Sequence, residues 1–171
     1  FRWYGPIPEH LAAFLVKATG FPSELALTFM FLLSIAVTGI MVYLTVLSII
    51  GSRSGSLLSA LLAVSSSFFW GLGIVGGFYP RITTIAIFSV ALYFLFQYAK
   101  QSYERNPKRP TFAVLVTFLS LSVVSHPVIG AIGLLALLFL YALSPLKKSR
   151  RLGDSAKILI LTGLLSVWFM V

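Results

Sequence analysis

Six residues supply most of the chemistry open to this chain: Glu9, His10, Glu24, Tyr79, Arg81 and His126. Glu9 and His10 are adjacent, so a carboxylate and an imidazole could move a proton at one place, unless both are simply polar residues on a surface helix. The Arg81 guanidinium either forks onto phosphate oxygens or snorkels to water from a helix start, and Tyr79 stands two residues before it. Glu24 follows Ser23 in what reads as an N-cap and first turn, where a carboxylate also complements the positive helix end. His126 offers an acid/base or substrate contact near neutral pH, or else bonds the neighbouring backbone of a turn.

The familiar catalytic sets are absent from the sequence. There is no cysteine, and so no disulfide, thiol nucleophile or Cys-based metal site. No GxSxG elbow, HExxH helix or Walker lysine occurs, and no run of intramembrane acids marks a proton-coupled transporter. Gly71, Gly73, Gly76 and Gly77 follow no strand, which argues against a nucleotide fingerprint and for irregular backbone or close helix packing. Glu104 and Asp154 are lone acids among basic residues, read as solvated salt-bridge partners.

The elements that must position these groups are set by composition. The chain is 58% hydrophobic and 10% charged, with a mean hydropathy of +0.99, against about 25% charged in an ordinary soluble domain. We therefore expect an all-α, multi-pass protein integral to the cell membrane. Residues 25–50, 54–80 and 82–99 carry no charge, and each run is long enough for one crossing. Residues 111–144 are uncharged as well, but as one straight helix they would reach about 51 Å and overshoot a core of about 30 Å. This run must break, and His126-Pro127 stands at its middle.

Charge placement favours two crossings there. The densest basic clusters, 100–109 and 145–157, flank the run, and a double crossing leaves both in the cytoplasm. The expected spans are then 24–50, 56–73, 81–100, 111–126, 127–144 and an incomplete 157–171. Arg2, Lys17 and Arg81 fall outside, and His126 lies at the outer surface. The +9 net charge is thereby explained by orientation and by contact with anionic lipid, and nucleic acid is excluded as a partner.

Residues 1–22 form an outer-face segment ahead of the 23–171 transmembrane domain. Within it, 8–19 reads as a short helix with Pro8 at its first position and Gly20 as its stop. Leu11, Phe14, Leu15 and Ala18 share one face, so this helix should lie along the membrane surface. Trp3, Tyr4, Trp70, Phe78, Tyr79 and Trp168 map to an outer aromatic belt, and Tyr98, Tyr103 and Tyr141 to an inner one. The chain starts at Phe1, shows no signal peptide, and its last apolar run of 158–171 is short for a crossing, so it reads as part of a longer protein.

Four stretches carry a family resemblance: Trp3-Tyr-Gly-Pro-Ile-Pro-Glu-His-Leu-Ala-Ala-Phe-Leu, Gly51-Ser-Arg-Ser-Gly-Ser-Leu-Leu-Ser-Ala-Leu-Leu, Gly77-Phe-Tyr-Pro and Leu121-Ser-Val-Val-Ser-His-Pro. In this order they resemble the early part of multispanning membrane glycosyltransferases of the GT-C architecture. The likeness is greatest to the group labelled 6-pyruvoyl-tetrahydropterin synthase-related membrane proteins, although nothing here suggests pterin chemistry. The resemblance implies transfer of a sugar from a polyprenyl-phosphate carrier at the outer membrane face. It would place His126, Glu9 and His10 as catalytic candidates and Arg81, Tyr79 and Glu24 as substrate-binding ones. The acid expected after the first span of that family would lie upstream, and no cofactor is visible; a divalent metal would be held through residues outside this chain. The implied partners are membrane lipids, the lipid-linked sugar donor and other membrane subunits. The alternatives are a non-catalytic subunit packing through Gly73–Gly77 and Gly130–Gly133, which needs none of these polar groups, and a transporter.

Overall fold

The computed structural model describes residues 7–66, 79–104, 106–142 and 148–170, and among them the chain is all-helical. Seven helices follow in order: α1 (Ile7–Thr19), α2 (Ser23–Ile50), α3 (Arg53–Ser65), α4 (Tyr79–Tyr103), α5 (Arg109–Ser125), α6 (Pro127–Ala142) and α7 (Lys148–Met170).

Local chemistry explains most of the boundaries. Glu9 in the first turn of α1 and Lys17 in its last complement the helix dipole. Gly20 then stops the helix at φ 72°, a left-handed value that costs glycine little, with its N–H donated to Val16 O. Gly51 does the same for α2, at φ 75° with its N–H on Leu47 O. Ser52 caps α3 by accepting the Gly55 N–H, so α2 and α3 form a tight antiparallel hairpin in which Gly39 faces Val64. Ser23 is not the N-cap expected of it: Pro22 takes that position without a side-chain bond, and Ser23 opens the helix.

The main core joins α4 to α7 through Ala91, Leu95, Leu115, Leu119, Leu137, Tyr141 and Ile158. A smaller cluster of Phe31, Ile35 and Ile82 ties α2 to α4, with Val64 of α3 against it. Several hydroxyls inside these apolar helices bond backward to backbone, as Ser34 does to Met30 O and Ser120 to Val116 O, and these are satisfied without water. Gly130 and Gly133 do not form a free packing face. A Cβ on Gly130 would overlap the Val123 backbone of α5, and one on Gly133 would meet the Phe88 ring of α4.

Two helices, Ser23–Ile50 and Arg81–Tyr103, are long and apolar enough to cross a membrane. They coincide with two of the six expected spans. The described α3 has 13 residues, about 20 Å, and falls short of the span at 56–73, part of which lies outside the described residues. The long uncharged run does break at His126, into helices of 17 and 16 residues. The last helix begins at Lys148, nine positions before 157, so most of the expected basic loop 145–157 is helical. Hydropathy ends a span at the first charge, whereas backbone hydrogen bonding carries the helix on through Lys148 to Lys157.

Leucines 57, 58, 61 and 62 of α3, and Leu159, Ile160, Leu164 and Val167 of α7, stand exposed. Continuous apolar exteriors of this kind belong to surfaces covered by lipid or protein.

Candidate functional site

The α4–α5 hairpin decides which candidates meet. Its loop is closed by the Asn106 N–H on Gln101 O and the Lys108 N–H on the Gln101 side-chain Oε1. Antiparallel packing sets Tyr98 against Phe112, with ring centroids 5.2 Å apart, and carries the end of α5 back to the start of α4. His126 therefore arrives beside Arg81, from 45 positions away in the sequence.

His126 occupies the turn outside both helices, in the extended conformation that Pro127 imposes on its predecessor. Its N–H donates to Ser122 O at 3.1 Å, its carbonyl accepts from the Gly130 N–H at 2.8 Å, and its Nδ1 accepts the Ile129 N–H at 3.3 Å. The imidazole thus caps the first turn of α6, a task normally given to Ser, Thr, Asp or Asn. An accepting Nδ1 assigns the neutral tautomer with its proton on Nε2. The residue is only 6% exposed. Burial first, and the nearby Arg81 charge second, lower its pKa from the usual 6.5. A neutral imidazole with an Nε2–H donor beside a guanidinium is a ready pair for an anionic oxygen, and the imidazole can exchange a proton with a ligand.

Sequence reasoning missed Ser125, whose fully buried Oγ has no hydrogen-bond partner among the described residues. Its position next to His126 was the available signal. Thr84, also fully buried, lies one turn along α4 from Arg81.

The other candidates are not gathered in. Glu9 and His10 stand on the exposed side of α1, and Glu24 is exposed in the first turn of α2. Tyr79 is the first residue of α4. Trp3, Tyr4, Trp70, Phe78 and Gly71 to Gly77 lie outside the described residues. No group of three or more His, Asp or Glu side chains able to hold a metal ion occurs among the described residues.

Helix α1 lies against α2, α4 and α5, not free of the bundle. Leu11, Phe14 and Leu15 form one wall of an open apolar groove of about 370 Å³, with Met30, Thr83 and Phe118 among the residues opposite. On α4, the groove residues Thr83, Ala86, Ile87 and Val90 occupy the helix side away from Arg81.

At the far end of the bundle a second polar cluster overturns the solvated reading of Asp154. Starting α7 at Lys148 puts Asp154 in line with buried Ile158, Thr162 and Ser166, four residues apart, and leaves it 7% exposed. The Tyr141 hydroxyl donates to its Oδ2 at 2.9 Å. Tyr141 stacks on Tyr98 at 6.3 Å, and of the three tyrosines expected in an inner interfacial belt these two are buried in the core, while Tyr103 is exposed.

No protein-family model, curated protein or solved structure matches this chain.

Proposed function

We propose that the chain is part of a multi-pass membrane glycosyltransferase that moves a sugar from a polyprenyl-phosphate carrier at the outer membrane face. In this reading residues 24–50, 56–73, 81–100, 111–126 and 127–144 supply five crossings and 157–171 an incomplete sixth, with the basic segments 100–109 and 145–157 in the cytoplasm. The observation that carries it is the nearness of the Arg81 charge to His126, whose Nδ1 accepts the Ile129 N–H, at one end of an apolar bundle. Arg81 would bind the carrier phosphate, and His126 would hold or move a proton at Nε2. The exposed Glu9, His10 and Glu24 stay substrate-facing candidates. Gly130 and Gly133 pack inside the chain, and the Gly73–Gly77 face of the subunit reading lies outside the described residues.

The test is sugar transfer from a polyprenyl-phosphate donor by the full-length protein carrying Arg81→Ala, His126→Ala or His126→Asn. Asparagine can still cap α6 but cannot shuttle the proton, so it separates structure from chemistry. Arg81→Ala and His126→Asn should each lower kcat/KM by about 100-fold or more. Unchanged transfer in both sinks the proposal.

A further inference from the structure

The end of the bundle away from His126 holds a pocket of about 470 Å³ lined by Tyr98, Pro107, Lys108, Arg109, Phe112 and Lys157. Three cations thus converge from two helices. Helices α5 and α7 run parallel: Ile158 packs with Leu115 and Leu119, and Ser120 Oγ donates to Thr162 O one turn further along both. The N-terminus of α5 therefore opens on the pocket, while α7 starts nine residues before Lys157 and passes it. Neither has an acid in its first turn, and Lys108, the N-cap of α5, makes no side-chain cap bond. Pro110 has no N–H to cap, but those of Arg109 and Thr111 are left to other acceptors. Cations placed on the positive end of a helix dipole repel it. Asp154 is turned inward onto Tyr141, and none of Lys108, Arg109 or Lys157 has an ion pair among the described residues. Lysine and arginine side chains beside the N–H groups that open α5 make a site suited to a phosphate.

We infer that this pocket binds the phosphate of an acidic membrane phospholipid. The aromatic floor of Tyr98 and Phe112 receives the glycerol and upper acyl region, and the exposed apolar side of α7, beginning with Leu159 and Ile160, receives the chains. This assignment is independent of sugar transfer at the His126 end. It also differs from diffuse attraction of basic loops to a charged surface, because it depends on three particular side chains and one lipid per chain.

The experiment measures lipid retention and thermal stability of the full-length protein in detergent, with phosphatidylglycerol, phosphatidylcholine or inorganic phosphate added. Native mass spectrometry should show one retained phosphatidylglycerol per chain, with a raised Tm, and no such retention of phosphatidylcholine. Lys108→Gln/Lys157→Gln should weaken binding by about tenfold or more. Removing two charges outside the pocket, Arg53→Gln/Lys100→Gln, should leave it unchanged. Equal loss in both double variants means diffuse charge and overturns the site. The same Tm rise with inorganic phosphate alone overturns the lipid as its source. If the pocket variant fails to fold, Arg109→Lys in the otherwise unchanged chain serves instead: it keeps the charge and loses the fork, and unaltered retention there overturns the phosphate geometry.

Discussion

The two ends of the α4–α7 bundle bury an imidazole and a carboxylate, and they do so by different means. At the His126 end the group is held by its own turn: Ser122 O, Ile129 N–H and Gly130 N–H all lie within four residues of it. At the Asp154 end the group is held across helices, by the hydroxyl of Tyr141, which is itself stacked on Tyr98 of α4. One end is therefore specified by backbone geometry and the other by tertiary packing. Substitutions at the first should act through clashes and capping, and those at the second through a desolvated carboxylate.

The largest effect should come from the backbone-limited end. Gly130→Ala pushes a methyl group into the Val123 main chain, which cannot rotate away as a side chain can. The expected loss is about 3 kcal/mol, the upper part of the range for overpacking. Thermal or denaturant unfolding in detergent measures it, and a variant as stable as the parent would break the claim that α5 and α6 meet backbone to backbone.

Next in size is the packing-limited end. Asp154→Ala leaves a tyrosine hydroxyl buried without its carboxylate, and Tyr141→Phe leaves the carboxylate one donor short; each should cost about 2 kcal/mol. In a double-mutant cycle the pair should couple by about 1 kcal/mol or more, since the second change has little left to remove. Additive, small losses would return Asp154 to the solvated role that its charged neighbours suggest.

This contrast also explains what the sequence discloses. The break at His126-Pro127 is legible because an uncharged run can be measured against a bilayer, and proline restricts its predecessor by local sterics. The stop at Gly20 is legible for the same local reason. The pairing of Arg81 with His126 is legible only as membership of one face; the antiparallel α4–α5 hairpin turns that into proximity. Asp154 is not legible at all. Basic residues surround it, and only the register of α7, running from Lys148 with every fourth residue inward, buries it. The same register takes the inner-belt role from Tyr141, because its phenol is needed by Asp154.

A third, smaller effect concerns the cap. His126→Ala should cost about 1 kcal/mol and His126→Asn much less, because asparagine can accept the Ile129 N–H in place of Nδ1. The parent should also respond to acid. The unfolded imidazole takes up its proton near 6.5, the folded one at a lower pH because of burial and Arg81, so unfolding between these values binds a proton. His126 thus contributes its stability in full above about 6.5 and loses it as the pH falls through the folded value. The parent should lose stability relative to His126→Asn as the pH falls below about 6.5, and parallel pH profiles would mean that the imidazole is not held neutral.

The smallest effect should fall on an acid that neither end uses. Glu24 is exposed in the first turn of α2, where its charge meets the helix dipole but no buried donor. Glu24→Gln should cost about 0.5 kcal/mol or less and diminish further in high salt, because a solvated charge near a helix end is screened. Asp154→Asn, by contrast, changes a desolvated group, and its cost should persist at the same salt concentration. Measuring both variants at low and high ionic strength sets a surface carboxylate against a buried one within a single chain. If salt erases the Asp154→Asn effect as fully as that of Glu24→Gln, then Asp154 is in contact with water and the two ends of the bundle do not differ in the way their hydrogen bonds indicate.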